Sequence, residues 1–121
     1  MNSQLRQQIL EKYPLLFPTA ISFDVDDGWF NIINLLCHSI QTHLNWQNRN
    51  EPTVEQVTVL QLKEKFGGLR FYYGGGDEYV SGLVVMAEQF SEITCETCGD
   101  KGKLRGGSWI KCLCDQHYQG E

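Results

Sequence analysis

The residues in this sequence best equipped for chemistry are Cys95, Cys98, Cys114 and His117. They form two pairs, each with two residues between its members, and fifteen residues separate the pairs. At that spacing each pair grips a metal ion from one tight turn, and the loop between them closes a tetrahedron. Gly99, directly after the first pair, suits such a turn. The pattern predicts a Zn2+ site. Four protein ligands leave no open position for water, so the expected role is structural and not catalytic. Disulfides would need an oxidising compartment. A redox CxxC belongs in a strand-to-helix context near the start of a fold, whereas this one follows a helical segment. Cys112 is the spare thiol. It is either turned away from the metal or takes the place of His117, and His117 is preferred because it completes the two-residue spacing.

A metal would also explain how this segment folds at all. "GDKGKLRGGS" holds almost no core-forming residues. Without an ion it buries too little apolar surface to offset its chain entropy.

Three further groups carry possible chemistry. "KEKFGGLRFYY" offers Lys63, Lys65 and Arg70 to a phosphate or carboxylate, with Phe71, Tyr72 or Tyr73 as stacking partners. The plainer reading is an alternating hairpin with Leu69, Phe71 and Tyr73 in the core and Arg70 and Tyr72 in solvent. "DVDDGW" offers Asp24, Asp26 and Asp27 as hard-metal ligands or an acid–base pair, or simply as helix caps. Trp29 beside them is a core residue or a stacking platform. In the tail, Lys101, Lys103, Arg105 and Lys111 surround Trp109, an arrangement that suits nucleic acid or ordinary solvation. Cys37 falls on an apolar stripe and reads as core, and His38 and His43 have no obvious partner. "GGGDE" lacks the Gly-Lys-Ser/Thr ending of a phosphate-binding loop.

The chain that must position these groups has 121 residues and 41% hydrophobic content, enough for one modest core. Its formal charge of −5 is uneven. Residues 1–50 carry three basic and four acidic side chains, residues 51–94 three and seven, and residues 95–121 four and four. An acidic protein is a poor general binder of nucleic acid, because phosphate neutralisation supplies most of the non-specific affinity. No basic start followed by an apolar run marks a signal peptide, and no stretch is apolar enough for a membrane span. The expectation is a reducing, cytoplasmic location, with no membrane partner.

Hydrophobic spacing predicts an α+β fold. Leu5, Ile9 and Tyr13 mark a first helix, capped by Ser3 and ended by Pro14. Phe30, Ile33, Cys37, Ile40 and Leu44 mark a second, broadened by Trp29, Ile32 and Leu36. "VEQVTVLQLKEK" and "LRFYY", joined by "FGG", predict an antiparallel hairpin or small sheet. Val80, Leu83, Val84, Ala87 and Phe90 mark a further helix, weakened by Gly82. It runs straight into a zinc-ribbon-like module. The expected organisation is an α+β domain over 1–94 with the metal module, 95–121, packed on it.

"KYPLLF", "DGWFNII", "QLKEKFGGLRFYY", "AEQFSEITCETCG" and "WIKCLCDQH" occur here in that order. Across nearly the whole chain they resemble a family of small, mostly uncharacterised proteins of tailed phages and prophages. The most specific part is "KEKFGGLRFYY" followed by the CxxC…CxxH tail. In that family a threonine-like residue often stands where this chain has Cys112, which agrees with Cys112 being the spare. The "DVDD" here departs from a cysteine-containing variant, so no role of that cysteine carries over. The resemblance implies a phage origin and no settled activity. Small size, acidity, a closed metal site and the lack of a complete catalytic set predict a non-enzymatic accessory protein. It would bind a host protein, as an anti-defence factor does, or sequester a small nucleotide-like ligand. A nucleic-acid-binding zinc protein and a small nucleotide-acting hydrolase are the alternatives. A homodimer is compatible with the helix-rich composition.

Overall fold

The computed structural model describes residues 1–119 and has an α+β architecture. Helix α1, Ser3–Lys12, puts Ile9 fully into the core, and Tyr13 follows at its end. Its cap is Asn2 and not Ser3: the Asn2 side chain accepts from Leu5 N, so the helix begins one residue earlier than expected. A two-residue strand β1, Phe23–Asp24, comes next, then a 3-10 turn over Asp27–Trp29 that leads into α2, Phe30–Gln47. Ile33, Leu36, Cys37, Ile40 and Leu44 of α2 are all buried, as their spacing demands.

Strands β2, Thr58–Lys65, and β3, Gly68–Gly74, form the expected antiparallel hairpin. Its turn is Phe66–Gly67, with φ of 55° and 82°, the positive values that suit the right-handed twist of a tight hairpin. Between Val59 and Gln61 the register shifts, which leaves Leu60 exposed while Val59 and Leu62 stay inside. Sequence reading gives no sign of β1, which pairs in parallel with β2 (Phe23 opposite Leu62, Asp24 opposite Lys63) and completes a three-stranded sheet in the order β1-β2-β3. Two residues are too few to show an alternation.

Helix α3, Glu78–Ser91, packs on β3 and on α2, and Asp77 caps it by accepting from Val80 N. Its inner stripe is Val80, Val84, Ala87 and Ser91. Phe90, expected inside, is exposed, because the inner face turns through Ser91, whose hydroxyl accepts from Leu69 N on β3. A side chain at Gly82 would meet nothing within 4 Å. Gly82→Ala is therefore expected to stabilise the protein by about 0.5–1 kcal/mol through helix propensity and a less flexible unfolded chain. An unchanged or lower midpoint in urea would contradict this.

Two three-residue strands, β4 (Lys103–Arg105) and β5 (Lys111–Leu113), pair antiparallel in the tail. The tail is joined tightly to the rest. Trp29 Nε1 donates to Thr94 O at 2.9 Å, Gly28 N donates to Glu96 O at 2.7 Å, and Cys112 belongs to the same buried cluster as Ile33, Leu62 and Phe71.

Candidate metal centre

The first Cys pair sits on a tight turn behind α3. Cys95 N donates to Asp100 O at 2.7 Å and Gly99 N to Cys95 O at 2.9 Å. Gly99 takes φ of 88°, which glycine adopts without strain. The Asp100 N–H points at Cys98 Sγ, 3.4 Å away, and so stabilises a thiolate there. The second pair sits on a turn after β5, where His117 N and Tyr118 N both donate to Cys114 O.

The four ligand atoms lie within 4.8 Å of one another. Cys98 Sγ to Cys114 Sγ is 3.8 Å, Cys95 Sγ to His117 Nδ1 is 3.7 Å and Cys114 Sγ to His117 Nδ1 is 3.2 Å. A tetrahedral ion with metal–sulfur bonds of about 2.3 Å needs sulfur–sulfur edges of about 3.8 Å. The donor set thus has room for one metal ion and already holds close to the right shape. Among the described residues this is the one cluster of three or more His, Cys, Asp and Glu side chains with that convergence. Cys112 does not join it. Its thiol is fully buried in the core, and burial pushes its pKa up.

The electrostatics of the thiols favour a cation at their centre. Burial opposes ionisation of Cys95. The backbone groups of Cys114, Cys98 and Thr97 and the Cys114 side chain outweigh it and bring the pKa down to about 6. Cys98 gains from the Asp100 N–H, but desolvation and the neighbouring Cys95 and Cys114 sulfurs push it up to about 11. One thiolate forms readily and its charge resists the next. A divalent cation at the centre would remove that conflict.

Sequence reading missed Glu96. It is 2% exposed, accepts from Asp26 N at 3.2 Å and faces Lys111 Nζ at 3.4 Å. Burial raises its pKa, and Lys111 partly offsets the rise. This carboxylate anchors the turn before α2 to the metal knuckle and to β5. Only its place inside CxxC hinted at such a role.

The other candidates fall out as follows. Trp29 is fully buried and has no face left for a ligand. Asp24, Asp26 and Asp27 do not converge: Asp27 accepts from Asn2, Asp24 accepts from Ser22 Oγ, and Asp26 caps nothing with its side chain. Lys63 and Arg70 stand opposite each other on the hairpin, Lys65 stands opposite Gly68, and Tyr72 lies under the Lys63 ammonium. Tyr73 turns to the other face, near Phe71 and Ser81. Cys37 is a buried core thiol with a pKa pushed up to about 12. His43, unpaired in the sequence reading, has a partner: its Nε2 is 2.8 Å from Asp77 Oδ2, and its ring stacks on Tyr79 at 4.1 Å. An apolar groove of about 340 Å³ runs between α2 and α3, walled by Ile32, Leu35, Leu83, Met86 and Phe90.

The His43 contact holds the Asp77 carboxyl below its ordinary range, helped by Val80 N–H and opposed by burial. A folded-state pKa below the unfolded one contributes stability above the ordinary Asp value, and that stability is lost as pH falls through the lowered value. The stability gap between wild type and His43→Ala is therefore expected to narrow on acidification below the ordinary carboxylate range, as read by urea unfolding at stepped pH. A gap that stays constant as the pH falls through and below that range would refute the coupling.

Comparison with known protein families, with curated proteins and with solved structures gives no match. No helix among the described residues is long and apolar enough to cross a membrane.

Proposed function

We propose that the metal is zinc, that it is structural, and that the chain is a non-enzymatic accessory protein of tailed-phage or prophage type. It would act by binding a host factor or a small ligand in the bacterial cytoplasm. The observation that carries the structural reading is the completeness of the donor set. Three thiolates and an imidazole supply four donors, two of them are buried, and the knuckle is hydrogen-bonded to the turn before α2. Soft sulfur donors in a tetrahedron favour zinc over hard cations. Such a site leaves no coordination position for a substrate. The scattered Asp24, Asp26 and Asp27 supply no acid–base pair to replace it. The phage origin rests on the sequence motifs.

The test is native mass spectrometry of gently purified protein against its denatured mass. One zinc per chain, lost in Cys98→Ser and kept in Cys112→Ala, supports the reading. A chain that carries no metal, or turnover of a nucleotide panel that persists without it, overturns it.

A further inference from the structure

Two segments that are far apart in sequence meet in the fold, and both are free of acid. Residues 65–76 and 101–114 contain no Asp or Glu in a chain that has fifteen. They hold Lys65, Arg70, Lys101, Lys103, Arg105 and Lys111, six of the ten basic residues. The β2–β3 turn rests on the β4–β5 hairpin: a Cβ on Gly67 would stand 2.6 Å from Leu104 Cδ2 and 3.3 Å from Ile110 Cγ2.

The pairing of β4 with β5 sorts the side chains. Leu104 stands opposite Cys112, which faces the core, so Lys103 and the Arg105–Lys111 pair take the other face. Leu104 and Ile110 thus join the two turns, and the outermost apolar groups are aromatic: Phe66 is 64% exposed and Trp109 72%. The Lys65 ammonium lies 5.5 Å from the Phe66 ring centroid. Arg105 is committed to Asp115 and Lys111 to Glu96. No ion pair engages Lys65, Lys101 or Lys103 among the described residues. Lys63 has Asp24 beside it in register, and the Glu64 carboxylate accepts from Gly67 N at the turn.

We propose that this end of the molecule binds single-stranded nucleic acid, with bases stacked on Phe66 and Trp109 and phosphates neutralised by Lys65, Lys101 and Lys103. Rings on two turn tips suit unstacked bases better than a duplex, whose bases are already stacked. A protein partner would favour an apolar centre within a polar rim. Here Leu104 and Ile110 keep part of their surface in solvent, but the most exposed apolar groups are the Phe66 and Trp109 rings, with the Lys65 ammonium beside the first. The proposal takes nucleic acid, the alternative to a host factor or small ligand, as what this end binds, and it rests on the structural-metal reading above because β4 and β5 depend on the metal knuckle.

The experiment is fluorescence anisotropy with metal-loaded full chain and a labelled oligothymidylate or oligouridylate of about twenty nucleotides, beside a duplex of equal length. Single strands are expected to bind better than duplex. With about three phosphates neutralised, affinity should fall about twentyfold between about 50 and 200 mM salt. Trp109→Ala and Phe66→Ala should each weaken binding about tenfold. Lys103→Glu should weaken it further, and Lys12→Ala should leave it unchanged. Failure of the zinc-loaded chain to bind either oligonucleotide sinks the proposal and leaves the metal reading standing. So does equal competition by polyglutamate, or indifference to Trp109→Ala. Binding by a chain that proves metal-free does the reverse.

Discussion

Removal of the metal, by chelation or by Cys95→Ser, is expected to melt the C-terminal hairpin and to weaken the rest of the protein with it. Strands β4 and β5 have three residues each. A two-stranded hairpin of that size is not stable in water unaided. In small metal modules the binding free energy is folding free energy, on the order of 10 kcal/mol. What makes the effect global is the set of bonds that cross from the tail. Trp29 Nε1 would lose Thr94 O, Gly28 N would lose Glu96 O, and the core would lose Cys112. A buried indole N–H without an acceptor alone costs about 1–3 kcal/mol. Circular dichroism and calorimetry should show reduced structure and a markedly lower midpoint in the metal-free chain, with Cys112→Ala as a control that keeps its ion. An apo-protein that melts at the holo temperature would show that the ion is a passenger.

The second large effect is expected from one methyl group. A Cβ at Gly28 would lie 2.2 Å from Cys95 O and 2.4 Å from Glu96 O. Both obstacles are backbone atoms of the metal knuckle, so no side-chain rotation relieves the clash. Gly28 N also donates to Glu96 O, which fixes the two strands of chain at this separation. Gly28→Ala must therefore break the contact, and its cost should exceed about 4 kcal/mol, in the range reserved for severe core defects. The expected result is a chain that expresses poorly, or a midpoint lowered by well over ten degrees. It should also hold its metal more weakly, although residue 28 is no ligand. Near-wild-type stability would mean that the knuckle can move away from the body freely.

Cys95, Cys98, Cys114 and His117 were legible as a cluster because a tetrahedral site would impose a local rule: two ligands per turn, with glycine where φ is positive. The long helix was legible because five buried positions of α2 repeat at helical spacing. Other features depend on partners far along the chain. Glu96 reads as an ordinary exposed acid until Asp26 N and Lys111 are brought to it. β1 exists only because β2 lies beside it. Phe90 looked like core because it keeps the helical period, but Ser91 takes the inner place by answering the Leu69 N–H. The sequence also separated the hairpin turn from the basic tail, and nothing local announces that Gly67 touches Leu104.

The donor set is not evenly wrapped. Cys95 and Cys114 are buried, whereas Cys98 is exposed and His117 half-exposed. An ion held there has a protein side and a water side. Its departure should be stepwise: His117 and Cys98 swing out first, leaving a two-thiolate intermediate that a competing chelator can attack while Cys95 and Cys114 still hold on. Exchange should then quicken with chelator concentration instead of waiting on spontaneous release. The ion would be durable in a metal-poor solution yet open to hand-over by direct contact with another metal-binding molecule.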